Sequence, residues 1–386
     1  MNKPKPDRCV SILRELVATD TRQPEGRERR LTDYIERIFA GFDVETRRID
    51  HSEERSSLVV KLPGVCPDGG IGFFAHLDTV AFGDEAIWTD EPLSAVIRNG
   101  VMYGRGTADM KGGAAAMLEM ALCLLESGTM PPKPVYLCFT ADEEKGGTGA
   151  ASLLDLPWIR ELECGVFCEP SAERIGVREK GALWMRVSIR GVQSHSSNPA
   201  IAVNALDKAF EFYHRLIERI DFGPADPLLG RTTAAMTQMH GGVMTNVIPG
   251  EAWCEIDIRM LPGQPTHVFL DEAFEAKREL EKQEPRLKVD ITVLSRHEAN
   301  STPEDHPFVR RVQRVCSAGG FNSSLRGLLF FTDAGRVTPT LKIPYVIWGP
   351  GDDREAHQID EKIELSSVHR MAGLYLDLVM FSQSSS

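Results

Sequence analysis

A chain of 386 residues with 42% hydrophobic and 26% charged residues has the composition of a globular enzyme and is long for one hydrophobic core, so two domains are expected. Its formal net charge of −12 argues against a general nucleic-acid binder, which would show a basic face. No run reaches the roughly 18 apolar residues of a spanning helix, MNKPKPDRCVSILREL lacks the apolar core of a signal peptide, and eight scattered cysteines without CxxC pairs suit reduced thiols in the cytoplasm.

Helical periodicity predicts helices over 7–19 and 25–42. Strands follow at 46–49, 57–61 and 72–76, then a hairpin at 96–102, a helix at 112–128 and a strand at 135–140. Continuous apolar strands alternating with helices indicate an α/β sheet covered on both faces. From residue 179 the pattern changes: strand 183–190, helix 200–220, strands 232–240 and 252–260, helix 266–283 and strand 286–294. That β-α-β-β-α-β order is a ferredoxin-like unit. The α/β pattern then returns with helix 307–318, strand 345–348 and helix 365–381, and the serine-rich tail 382–386 is expected to fray. The expectation is an α/β fold with a mostly parallel sheet in 1–178 and 297–386, and a small domain inserted at 179–296.

Acidic and imidazole side chains fall at the mouths of predicted strands or in adjoining loops. In FFAHLDTV, His76 and Asp78 stand two apart and project from one face of a strand. Asp109 lies in GRGTADMKGG, Glu143 and Glu144 in FTADEEKGG, Glu169 in FCEP and His357 in GPGDDREAHQIDE. Loops beyond the carboxyl ends of strands form the crevice of an open α/β sheet, and carboxylates with imidazoles suit zinc or a similar divalent ion. Each segment also has a plain reading. His-x-Asp at a strand end is commonly a hydrogen-bonded pair, DEEK a solvated loop and CEP a turn. GRGTADMKGG resembles a phosphate loop but lacks the Walker spacing and the Ser or Thr after Lys111.

Taken in order, AHLDTV, GRGTADMKGG, DEEKGG, CEP, GVQSHSSNP, NVIPG, DIRM and EAHQIDE resemble the M20 family of metallopeptidases and amidohydrolases. This is the group of acetylornithine deacetylase, succinyl-diaminopimelate desuccinylase, aminoacylase-1 and glutamate carboxypeptidase. The resemblance spans nearly the whole chain. It implies a zinc-exopeptidase-like catalytic domain and an inserted lid through which the protein forms a homodimer. It also implies two Zn²⁺, with Co²⁺ or Mn²⁺ as alternatives. His76 and Glu169 would hold one ion, Glu144 and His357 the other, and Asp109 would bridge them. Glu143 would act as general base on a metal-bridging water. Asp78 would accept the His76 N–H turned away from the metal, and His195 would donate to the oxyanion.

Asn246, Arg259 and Thr332, beside Asp333, match positions near substrate. Arg259 would hold a carboxylate; the competing reading pairs it with Asp257. The implied reaction is hydrolysis of an N-acyl amino acid, with a metallo-exopeptidase acting on small peptides as the alternative. A catalytically silent binding protein would lack a ligand or the base, and all six of these residues are present. Departures from the family pattern are Ala75 before the histidine, Cys168 before Glu169, and Phe330 and Phe331 where glycines are frequent. The two phenylalanines suggest a more apolar wall on the substrate side. No membrane or nucleic-acid partner is implied.

Overall fold

The computed structural model describes residues 2–381; the expected fraying of 382–386 lies outside the described residues. The chain divides into two compact units. One comprises 1–177, 301–326 and 332–386, and the other 178–300 and 327–331.

In the first unit the strands lie in the spatial order Glu45–Asp50, Ser56–Leu62, Val135–Thr140, Ile71–His76, Cys164–Pro170, Tyr345–Gly349 and Ile175–Glu179. The four from Val135–Thr140 to Tyr345–Gly349 are parallel. Antiparallel pairs flank them on both sides, so the sheet is mixed, with a parallel centre. The central strands Val135–Thr140, Ile71–His76 and Cys164–Pro170 are buried at every position, as expected where both faces are covered. The helix Gly112–Ser127 supplies one cover, its residues 112–124 all buried, packing on the helices Pro6–Ala18 and Leu365–Met380. Aromatic contacts knit the layers: Phe74 stacks on Phe167 at 4.5 Å, and Tyr375 meets Phe73 edge-on at 5.0 Å and donates its hydroxyl to Trp348 O.

Most predicted elements are present with shifted ends. The helix expected over 25–42 spans only Arg29–Phe39, because Gly26 and Arg27 adopt left-handed backbone that a helix cannot include (φ 75° and 67°). The helix expected over 200–220 begins at Ala205, where Asn204 accepts a hydrogen bond from the Leu206 amide and caps it. Strand Ile175–Glu179 and helix Thr148–Leu153 went unpredicted, being short runs with little periodicity.

The second unit carries a sheet ordered Thr233–Gly241, Glu251–Met260, Gly181–Arg190, Lys288–His297, antiparallel throughout. With helices Ala205–Arg219 and Thr266–Gln283 it has the β-α-β-β-α-β order of a ferredoxin-like unit. Alternate residues Leu183, Met185, Val187 and Ile189 join Cys254, Ile256 and Ile258 on one face, covered by Phe212, Leu216, Phe269 and Leu280. That period-2 burial is what distinguishes these one-sided strands from the continuous strands of the first unit.

The fit of helix to sheet in the first unit is set by glycine. A Cβ at Gly113 would lie 2.0 Å from Cys168 O, and one at Gly349 2.2 Å from the same atom, so both elements press against the strand that carries Glu169. Gly113→Ala is therefore expected to destabilise the protein by about 1–3 kcal/mol or more, read as a lower urea midpoint at unchanged slope. Gly373→Ala, where no atom lies within 4 Å of the new Cβ, is the control expected to hold or slightly raise the midpoint.

Candidate metal centre

Parallel strands bring their carboxyl ends to one edge of the sheet, and four of them deliver the candidate ligands there. His76 ends its strand in register with Thr140, and Glu169 is one residue from the end of the neighbouring strand. The turn carrying Glu143 and Glu144 follows Thr140, and the loop after Tyr345–Gly349 carries His357 with φ 63°. Asp109 sits in the segment Thr107–Lys111 immediately before the long buried helix. There the backbone leaves helical geometry at Asp109 (φ −117°, ψ 97°) and Met110, and the peptide between them is cis.

These side chains converge. His76 Nε2 lies 3.1 Å from Asp109 Oδ1 and 3.8 Å from Glu169 Oε1. His357 Nε2 lies 3.3 Å from Asp109 Oδ2 and 3.1 Å from Glu144 Oε2. The two oxygens of Asp109 thus face different imidazoles. One donor atom each from His76, Asp109 and Glu144 falls within a 4.8 Å group. Glu143, 8% exposed, lies beside them.

The electrostatics of this cluster bear on what it can hold. Burial, reinforced by Asp333, Glu169 and Glu144 and opposed by His76, pushes the Glu143 carboxyl well above its ordinary range. Glu169 is pushed up in the same way, by burial first. Burial also disfavours ionised Asp109, but hydrogen bonds from His357 and His76 outweigh it and hold that carboxyl below its usual value. His357, bonded to Asp109 and Glu144, is raised to about 10. Within the first unit the ion partners of Asp109, Glu144 and Glu169 are these histidines; among the described residues no lysine or arginine pairs with them. Three such carboxylates with two imidazoles are a hard-to-borderline donor set that fits divalent cations, whose binding would displace the imidazole protons.

Asp78 is placed differently from the expectation. His76 Nδ1 donates to the backbone carbonyl of Asp78 at 2.9 Å, while the Asp78 carboxylate lies 3.8 Å away. That carboxylate instead accepts the backbone N–H groups of Glu143 (3.1 Å) and Glu144 (3.2 Å) and the Gln23 amide (2.8 Å). The physical reason is reach. Just beyond the strand end the carbonyl of Asp78 already meets the ring, and the fully buried carboxylate needs donors, which the next turn supplies.

The remaining candidates divide by unit. In the first, the Thr332 hydroxyl is buried and accepts the Ala334 amide at the start of helix Ala334–Leu341. Its neighbour Asp333 accepts the Thr140 hydroxyl at 2.6 Å and is raised by burial to about 6. In the second, a two-residue pairing of Ser194–His195 with Val247–Ile248 brings His195 next to the Asn246 segment, and Ser196 N donates to Asn246 O at 3.0 Å. Arg259 makes a forked contact with Asp257 at 2.9–3.1 Å and lies over the rings of Trp184 and Phe331. The pairing weighed as the competing reading of Arg259 is thus formed. Phe331 stacks on His297 at 3.7 Å.

A family model described as peptidase family M20/M25/M40 matches residues 72–380. The chain belongs to this family. Over 384 residues it is 26% identical to a probable succinyl-diaminopimelate desuccinylase of Staphylococcus aureus strain N315, covering 92% of each chain. Its fold is similar to that of a tripeptidase from Staphylococcus aureus, with TM-score 0.79, 22% identity and 98% and 99% of the two chains covered. It is also similar to a dinuclear metal-binding M20 peptidase of Bacillus subtilis, with TM-score 0.70, 14% identity and 97% of each chain covered. At these identities the structural likenesses show the shared fold. Among the described residues no helix of this M20 metallohydrolase is long and apolar enough to cross a membrane.

One residue of the centre escaped the sequence reading. Glu361 is fully buried and accepts the backbone N–H groups of Ala108 (2.8 Å) and Asp109 (3.0 Å) while pairing with buried Arg105 at 2.8 Å. It holds Asp109 by its main chain, leaving the side chain to face His76 and His357. Its only trace in the sequence is an acid at the end of EAHQIDE, next to the alternating strand Lys362–Glu364. Glu361→Ala strands two amides and a buried guanidinium. It is expected to cost about 3–5 kcal/mol of stability, measured by urea unfolding, with Glu361→Gln costing less because one oxygen remains.

Proposed function

We propose that this M20 hydrolase cleaves the amide bond of an N-acyl amino acid, releasing the free amino acid and the acyl group as its carboxylate. The observation that carries the reading is the division of the two Asp109 oxygens between His76 and His357, which supports a two-cation centre with Asp109 common to both. His76 and Glu169 would hold one ion and Glu144 and His357 the other, zinc by preference, with cobalt or manganese suited to the same donors. When bound, such ions acidify water and polarise the substrate carbonyl.

The chain's own residues then divide the work. Glu143 takes the proton of the attacking water on its carboxylate and passes it to the departing amine. Its main chain is held by Asp78, so the carboxylate can serve as base while Glu144 ligates. His195 donates to the developing oxyanion. Supporting this, the Ser197 backbone N–H points at His195 Nδ1 at 3.2 Å, so the neutral ring carries its proton on Nε2. Asn246, Arg259 and Thr332 would face substrate, with Arg259 exchanging its Asp257 contact for a substrate carboxylate. The N-acyl class is favoured over unblocked peptides by the desuccinylase name of the 26% identical relative. Exposed Phe210 and Phe274 on the helices of the second unit support a homodimer through that unit.

Turnover of N-acetyl-, N-succinyl- and aminoacyl-amino acids by the zinc-loaded enzyme tests the class. Hydrolysis confined to the acylated compounds is expected; turnover of unblocked dipeptides alone would establish an exopeptidase instead. Glu143→Gln is expected to lower kcat by about 10²–10⁴-fold at unchanged metal content by elemental analysis. A wild-type rate in that variant would place the base elsewhere.

A further inference from the structure

Asp142, the residue before the base, adopts left-handed backbone with φ 67°, a conformation that an L-residue other than glycine holds only when its surroundings enforce it. Here they do so from several directions. The Asp142 N–H donates to Glu28 Oε1 at 3.2 Å, and Asp142 O accepts the Gly146 and Gly147 amides. Its carboxylate takes Arg55 Nη1 at 3.2 Å on one oxygen and the Thr148 hydroxyl at 2.6 Å on the other. Arg55 is itself fixed by a forked pair to Glu28, Nε to Oε2 at 3.0 Å and Nη2 to Oε1 at 2.5 Å, and Glu28 is fully buried. The Gln23 amide, 2.8 Å from Asp78 and 3.4 Å from Asp142, ties this bracket to the carboxylate that holds the next two amides.

We propose that Arg55, locked by Glu28, is a positioning residue for the reaction: it fixes Asp142 in the left-handed conformation that sends the side chains of Glu143 and Glu144 in different directions. Two adjacent glutamates can serve as base and ligand only if the turn between them is held in one geometry. Asp78 fixes the far end of that turn through the Glu143 and Glu144 amides, and Arg55 with Glu28 fixes the near end. The bracket draws Gln23, Glu28 and Arg55 from the amino-terminal segment, upstream of residue 72, where the family match begins. Arg55 touches neither substrate nor ligand; its effect passes through Asp142.

The inference rests on Glu143 being the base, and the test separates the two. Arg55→Met, Arg55→Lys and Asp142→Asn are compared with the parent and with Glu143→Gln, each loaded with zinc, by kcat, KM, bound metal and melting temperature. Asp142→Asn retains an oxygen for Thr148 but turns an N–H₂ toward Arg55. Arg55→Met and Asp142→Asn are expected to lose about 10- to 100-fold in kcat, with KM and bound metal unchanged and Arg55→Lys recovering part of the loss. The inference is overturned if both retain parent kcat, or if kcat falls only in proportion to metal or folded protein. If Arg55→Met does not fold, Asp142→Asn decides alone. A Glu143→Gln enzyme with parent kcat would overturn the base assignment and this inference together, whereas loss in Glu143→Gln beside unchanged Arg55 and Asp142 variants removes only the latter.

Discussion

Asp109, Glu143, Glu144 and Glu169 crowd the carboxyl ends of a few adjacent strands, where burial and neighbouring carboxylates push the three glutamates up; two like charges 4 Å apart in a polarisable interior repel by about 4 kcal/mol. The rest of the centre answers that constraint. A lysine or arginine placed among the carboxylates would neutralise them but would also occupy their lone pairs. The chain instead puts imidazoles among them, which can give up protons to metal, and satisfies the surrounding carboxylates with backbone amides. Guanidinium groups appear one residue further out: Arg105 behind Glu361, and Arg55 behind Glu28 and Asp142. Charge is compensated at a distance while the inner oxygens stay available.

Such a centre needs a rigid frame, because a cluster of repelling groups opens wherever the backbone yields. The frame is the parallel middle of the sheet, where every residue of three successive strands is buried. Glycines 113 and 349 let a helix and a strand bear directly on the carbonyl before Glu169. The turns carrying Asp109 and Glu143 have no sheet partner of their own and are held by Glu361 and Asp78, whose carboxylates each bind two successive N–H groups. Strand ends and carboxylate-held turns together cover every candidate ligand of the first unit except His357, which is the most exposed of them.

The candidate ligands were legible through the order of their segments rather than through any one of them: an apolar strand ending in His76, a glycine-flanked Asp109 and paired glutamates after 135–140 each have a plain reading alone and match a family pattern only together. The same period-2 and continuous-apolar patterns distinguished the strands of the two units. What was not legible acts across long separations. Glu361 reaches Ala108 over 253 positions and Arg55 reaches Asp142 over 87, and nothing beside either in sequence points to the partner it holds. Asp78 was found, but its contact was assigned to the wrong atoms. Spacing shows that two side chains share a face; it does not show that the nearer acceptor for the ring is a main-chain carbonyl. The helix start at Arg29 was missed because the left-handed backbone continues from Gly26 into Arg27, a residue type that gives no sign of it.

The choice of aspartate at position 109 follows from how it is held. Glu361 anchors the amides of Ala108 and Asp109 themselves, so the main chain of the bridging residue is fixed within one bond of its Cα. From there the short side chain of this candidate bridging residue has two torsions, and its oxygens already stand between His76 and His357. Glutamate would add a methylene and a third torsion, carrying its oxygens past the point where both imidazoles meet and costing extra side-chain entropy to hold them. Glu144 and Glu169 each face one imidazole and tolerate that added reach. The residue facing two does not, so the shortest carboxylate is placed where a buried glutamate holds the backbone.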